Sequence, residues 1–431
     1  MYTPHRKEIM NGVYLTCVPE FKFKTGCLSV TFVTPLDKKT AAMNSVLPSV
    51  LRRGTSRCPD MESIAAVLDS LYGAKISPVA RKYGESLCIG FYAGFVDDEF
   101  IPGGEKILEG VTKLVGEMLL SPVTSGGRLK AEYVNGEREN LISDIKAQIN
   151  DKRGYSVSRL TEIMCRGERY GVRDTGTLAD AGKITVASLT KYYTEVLATA
   201  PVEVFYCGSA DPGRVEHAVR EALADLPRGE IMAMPETEIV AEPRSAKPRY
   251  TEEKFDVTQG KLAMGFRLGK APERDDKAVL MVMSALFGGT ATSKLFLNVR
   301  EKLSLCYFAS SSIDTQKRIM VVSSGIDFAN YETAKNEILA QLEAVKNGDF
   351  DETELLSAKR AVMTAIFTAL DSVPGTERLY LNKILSGSIY SPAELAAMAE
   401  AVTKDDVVYA ARRAKLDTVY FLTGEGEADE T

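Results

Sequence analysis

The chain is predicted to be an α+β protein made of two similar halves. Three observations predict it: β-rich stretches interleaved with long helical spacings but no regular β-α alternation, an internal repeat, and a proline-marked segment between the copies. Thr25-Gly26-Cys27-Leu28-Ser29-Val30-Thr31-Phe32 has a counterpart in Gln259-Gly260-Lys261-Leu262-Ala263-Met264-Gly265-Phe266, with apolar residues at matching alternate positions. Val50-Leu51 followed by Gly54-Thr55 is echoed by Leu286-Phe287 followed by Gly289-Thr290. Near the end of each copy, Thr185 and Leu189 lead into the strand Val202-Glu203-Val204-Phe205 and Gly208, as Thr403 and Val407 lead into Thr418-Val419-Tyr420-Phe421 and Gly424.

In the first half, 28–33 and 86–93 read as strands, while 61–72, 104–120, 129–150, 155–165 and 186–197 have helical spacing. In the second half, 261–267, 306–312, 319–326 and 418–423 are strand-like, and 277–286, 293–303, 332–346, 352–370 and 403–414 are helical. Arg228 to Tyr250 holds Pro235, Pro243 and Pro248, many charges and no sustained apolar period, which reads as a linker. The expected division is an N-terminal domain over 1–228, a linker over 229–250 and a C-terminal domain over 251–431.

A length of 431 residues, 45% hydrophobic and 26% charged, is ample for two globular domains and excludes a disordered or fibrous chain. The net charge of −6, with no dense Lys/Arg block, argues against a nucleic-acid partner. The N-terminal residues lack the apolar run of a secretory signal, and no stretch approaches the roughly 20 apolar residues of a membrane span. Seven cysteines, odd in number, scattered and never in a C-x-x-C pair, fit a reducing cytoplasm.

The chemistry-bearing run begins at Phe287-Gly288-Gly289-Thr290, continues through Ser293-Lys294-Leu295-Phe296 and Arg300-Glu301-Lys302-Leu303, and ends at Cys306-Tyr307. It resembles the second half of pitrilysin/insulinase-type zinc peptidases, which reads roughly G-G-x-x-x-S-x-L-F-x-x-x-R-E-x-x-G-L-x-Y there. Arg169-Tyr170-Gly171, Gly176-Thr177, Ile184-Thr185, Tyr192-Tyr193 and Cys207-Gly208-Ser209-Ala210-Asp211 extend the resemblance over nearly the whole chain. It implies two homologous α/β-sandwich domains, like those of mitochondrial processing peptidase, closing as a clam-shell. Among the family's branches, the chain looks closest to metal-less bacterial members that accompany a zinc-bearing sister.

Those peptidases carry H-x-x-E-H followed by G-T. Setting Gly54-Thr55 on that G-T puts Ser45, Pro48 and Ser49 where the two histidines and the glutamate belong. Serine is not a zinc ligand in such sites and proline cannot act as a base. The only histidines are His5 and His217, neither with a second His one turn away, and His217 reads as a surface helix residue. Asp144 falls at the family's third-ligand position and cannot hold zinc alone. Pro48 predicts a former active-site helix that is shortened or kinked.

In heterodimeric members the chemistry is split between subunits, and Arg300 and Tyr307 match the Arg and Tyr of the non-zinc subunit. The family's glycine before L-x-Y is Ser304 here. The resemblance therefore implies a substrate-binding subunit, inactive alone, with Arg300, Tyr307, Gly288 and Gly289 facing a peptide or unfolded-protein substrate. No metal or cofactor is expected on this chain, zinc being held by the H-x-x-E-H sister. From spacing alone, Arg300 reads as one half of a surface ion pair and Tyr307 as a packed strand residue; the surrounding G-G-T, S-K-L-F and R-E-K-L string turns the reading toward a substrate-facing pair. A purely structural homologue and a peptide-binding accessory protein, for example in protein modification or peptide maturation, stay open beside the subunit reading. Gly288 to Lys294 lacks the second glycine of a phosphate-binding loop, and no G-x-S-x-G elbow occurs.

Overall fold

The computed structural model describes residues 6–272 and 275–424; His5 lies outside them. The chain forms two compact units that are discontinuous in sequence. The first takes the residues up to Lys146, then Val172–Glu236 and Ala369–Ser388; the second takes Ala147–Gly171, Thr237–Thr368 and the residues from Ile389 onward. Among the described residues, no helix is long and apolar enough to cross a membrane.

The first unit holds strands β1 (Arg6–Met10), β2 (Val13–Pro19), β3 (Thr25–Pro35), β4 (Lys75–Tyr83) and β5 (Ser86–Val96), a small hairpin of β6 (Thr124–Ser125) and β7 (Arg128–Leu129), and β8 (Val202–Gly208). The second holds β9 (Arg249–Phe255), β10 (Gly260–Arg267), β11 (Cys306–Asp314), β12 (Ile319–Ile326) and β13 (Lys415–Gly424). The first sheet runs β1-β2-β8-β3-β5-β4 and the second β9-β13-β10-β12-β11. Starting from β2 and from β9, strand order and pairing sense coincide throughout. One parallel pair, β2 with β8 or β9 with β13, is followed by antiparallel neighbours. The repeat seen in the sequence at β3 and β10 is thus a repeat of whole topology.

One face of each sheet carries the main core. In the first unit, Leu28, Val30 and Phe32 of β3 pack with Val46, Leu47 and Val50 of helix Ala41–Arg52, Val111 of helix Ile107–Leu120 and Leu189 of helix Val186–Thr199. In the second, Leu262, Met264 and Phe266 of β10 pack with Ile338 and Leu342 of helix Tyr331–Asn347 and Val407 of helix Lys404–Arg412. Burial of each such side chain contributes about 1.5–3 kcal/mol, so the alternating apolar positions dictate which face turns inward. Helix Ala41–Arg52 runs for twelve residues with Pro48 inside it, so it does not end at the proline.

The central strands are buried on both faces, and the second covering layer comes from the other half of the sequence. On the second unit's sheet, Leu160 and Ile163 of helix Lys152–Met164 pack on Ala263, Val321, Tyr420 and Leu422. Gly265 lets this helix sit close to the sheet, a Cβ there standing so near the Met164 sulfur that the sulfur would have to shift. On the first unit's sheet, helix Val373–Leu385 brings Val373 against Cys27, Phe205 and Cys207, and Leu381 against Val33 and Cys88. The units therefore differ from a single cut between 228 and 250. Helical periodicity reveals which face of a helix is apolar, but not which sheet will cover it. The segment expected as linker holds the crossing from one unit to the other at Glu236 and Thr237, and β9 begins inside it at Arg249. All seven cysteines are reduced and buried.

Candidate functional site

The motif residues of the second unit lie on two helical stretches of unusual winding and the strand that follows. Helix Lys277–Ser284 continues into a π-helical turn over Ala285–Gly289, and Leu295–Lys302 is wound the same way. The widened winding shows in the hydrogen bond that the Leu303 N–H donates to the Asn298 carbonyl, five residues back. Such stretches are rare and concentrate at functional sites because they displace side chains from a regular helical surface. Two contacts hold the second stretch in place. The Lys294 ammonium pairs with Glu354 at 2.7 Å, and the Asn298 amide donates to the Gln341 side-chain oxygen at 2.9 Å.

Gly288 and Gly289 make the close approach possible. A Cβ on Gly288 would stand 2.7 Å from both the Ser311 backbone nitrogen on β11 and Leu295 Cδ1. A larger residue would push the first π turn off the strand that carries Tyr307. Below it, the Ser311 hydroxyl donates to the Ser284 carbonyl at 3.0 Å. Gly289 has more room, its nearest neighbour being the Ser284 carbonyl at 3.2 Å.

Ser304 takes the family glycine's place and its backbone as well: its φ is +50°, a left-handed conformation that costs a residue with a side chain about 1–2 kcal/mol. The turn that leads into the following strand is thus left-handed at a residue with a side chain. Tyr307, at the start of β11, is 66% exposed, and its hydroxyl makes no hydrogen bond among the described residues. It does not pack as an ordinary strand aromatic. Arg300 is held over the Phe296 ring, 4.6 Å from its centroid, and pairs with its neighbour Glu301 at 3.5 Å. Burial pushes the Cys306 thiol upward, while a Ser324 hydrogen bond and the charge of Arg300 pull it back, so the guanidinium acts on the residue next to Tyr307. Phe296 as a platform for Arg300 is a role that sequence reasoning missed, although the spacing of four residues carried the signal.

The former zinc-motif positions lie in the first unit. Ser45 donates its hydroxyl to the Asp174 carbonyl at 2.9 Å, Pro48 is buried in its helix and Ser49 is half-buried. Asp144 is exposed on helix Ala131–Ala147, and His217 is exposed on helix Pro212–Ala222. Among the described residues, no cluster of three or more His, Cys, Asp or Glu side chains is placed to hold a metal ion. These residues do not fit zinc: one hydroxyl is committed to a backbone carbonyl and the proline offers no donor atom.

The family described as "Peptidase M16 inactive domain" matches residues 183–362. A Bacillus subtilis (strain 168) protein named "Probable inactive metalloprotease YmfF" is 32% identical over 424 residues, 98% of each chain. The crystal structure of a conserved protein from Enterococcus faecalis V583 is similar with a TM-score of 0.88 at 28% identity, over 99% of this chain and 100% of that one. A protease from Helicobacter pylori shares the fold with a TM-score of 0.81 at 16% identity, over 98% of this chain and 100% of that one. With a relative this similar along its whole length, the chain belongs to the M16 family of pitrilysin- and insulinase-type peptidases, as a member whose sequence contains no H-x-x-E-H.

Proposed function

We propose that this chain is the non-catalytic, substrate-binding subunit of a heterodimeric peptidase in a reducing cytoplasm. A sister chain with H-x-x-E-H holds the zinc, and this chain supplies Arg300 and Tyr307. The observation that carries the reading is Tyr307, exposed with a hydroxyl unengaged among the described residues, just after a π-helical stretch and a left-handed bend at Ser304. The surface ion-pair alternative is weak. Arg300 and Glu301 are 40% and 54% exposed and 3.5 Å apart, a pairing worth at most about 1 kcal/mol that leaves the guanidinium free to exchange partners.

The Arg300 guanidinium and the Tyr307 phenol O–H can each donate a hydrogen bond, suited to a peptide carbonyl and to the negative charge that grows on its oxygen during hydrolysis. Phe296 limits the swing of Arg300, so less side-chain freedom is lost on binding. The substrate class is a peptide or an unfolded protein; nucleic acid and membrane are not partners.

The test is co-expression with the H-x-x-E-H protein of the same organism, followed by peptide hydrolysis with wild type, Arg300→Ala and Tyr307→Phe. Loss of one such donor lowers turnover by roughly a hundred- to thousandfold, with the complex intact. Full activity in both variants would reduce the chain to a scaffold. Failure to form any complex would favour the peptide-binding accessory reading, for example in protein modification or peptide maturation.

A further inference from the structure

Each unit is closed by a helix that the other half of the sequence provides, and each exchange is fixed by one fully buried glutamate. Beside helix Lys152–Met164, Glu168 meets Arg267 at 2.7 Å and Lys317 at 2.9 Å, all three with no exposed side-chain surface. Arg267 and Arg249 also donate to the Met164 carbonyl, each at 2.9 Å, neutralising the negative end of the same helix. Within helix Val373–Leu385, Glu377 is likewise without exposed surface and receives two hydrogen bonds from Arg81 of β4, at 2.7 and 2.9 Å.

We propose that these two sites are docking surfaces whose partner is the opposite half of this chain. Cut in the linker, the protein persists as a tight complex of two fragments, paired in register by Glu168 and Glu377. Three observations carry this beyond the covalent connection. Each covering helix buries apolar side chains on the face opposite the main core, in smaller clusters around Leu160 and around Val373 and Leu381. Docked elsewhere, Glu377 would lose Arg81 and Glu168 would lose Arg267 and Lys317, keeping only the half-exposed Arg244 of its own fragment at 3.6 Å, which penalises wrong partners. The exchange is reciprocal, so separation must expose both sheet faces at once, and the two docking events reinforce each other as linked sites do.

The experiment inserts a sequence-specific protease site between Ser245 and Ala246 in the full chain, inside the exposed run Arg244–Lys247. After complete cutting, both fragments are expected to co-elute at the volume of the uncut protein and to stay paired on dilution. Separation in native buffer overturns the proposal. In the cut protein, Glu168→Gln with Glu377→Gln should weaken fragment pairing roughly a hundredfold, while the uncut double variant keeps its circular dichroism. Unchanged pairing overturns the role given to the two glutamates. A measurement without substitutions guards against misfolding of the variant. In the uncut wild type, backbone amides of 156–164 and 377–385 should exchange with solvent as slowly as those of β10 and β3, and exchange a hundredfold faster than the strands overturns the proposal.

Discussion

Glu168→Ala is expected to be among the most destabilising single changes available in the second unit. The carboxylate is the common partner of Arg267 and Lys317, both without exposed side-chain surface. Burial pushes its carboxyl up, yet the hydrogen bonds and charges of Arg267 and Lys317 hold it below the usual range, so the pair interaction wins over desolvation. Removing it leaves two buried cations, with part of the loss cushioned. Arg267 keeps Asp417 at 3.1 Å, and the Lys317 ammonium keeps the Glu238 carbonyl at 2.6 Å. Breaking a buried pair costs about 3–5 kcal/mol, and the remaining partners put the expected value at the lower end, about 3 kcal/mol. With a urea slope of about 2 kcal/mol/M, the midpoint of the second unit's transition should fall by about 1.5 M. Urea titrations of wild type and variant, followed by circular dichroism, read this directly. A shift below about 0.5 M would show that Arg267 and Lys317 are solvated or re-paired at little cost, refuting the reasoning.

Three further outcomes are expected. Ser304→Gly should raise stability by about 0.5–1 kcal/mol, because relief of the left-handed strain exceeds the added freedom of the unfolded chain; an unchanged or lower urea midpoint would contradict it. Glu168, Asp417 and Glu253 are all desolvated yet held below their ordinary values of 4.5, 3.8 and 4.5 by paired arginines. Their stabilisation is present above those values and is lost as pH falls through the lowered ones, so the urea midpoint should drop steeply below about pH 4.5 and less so in Glu168→Gln. The purified chain should retain no stoichiometric zinc after dialysis, by elemental analysis; about one zinc per chain, lost in Asp144→Ala, would contradict the reading of Ser45, Pro48 and Ser49.

The repeat of β3 in β10 was legible because alternation of side chains survives divergence in identity, and Gly54 and Gly288 were legible because close backbone approach demands glycine. Strand β9 was not, since an edge strand protected by Glu252, Glu253 and Lys254 has the composition of a linker. The π-helical winding of Leu295–Lys302 was hidden for another reason: its apolar spacing over eight residues is indistinguishable from that of an ordinary helix. Glu168 and Glu377 look like solvated charges in sequence. Their partners lie 99 and 296 residues away, and only the exchanged helices bring them together.

Synthesis proceeds from the N-terminus, which gives the exchanged helices a temporal meaning. When Glu236 has left the ribosome, the first unit's sheet still lacks helix Val373–Leu385, and the face carrying Cys27, Phe205 and Cys207 is open to water. At about 5–20 residues per second, that face waits roughly 8–30 s for its cover. Helix Lys152–Met164, with Leu160 and Ile163 on its apolar side, likewise waits for β10, β12 and β13 to be made before its seat is complete. Nascent chains of this protein therefore expose two sticky surfaces for as long as translation of the second half lasts, and holdase chaperones have their opportunity in that window.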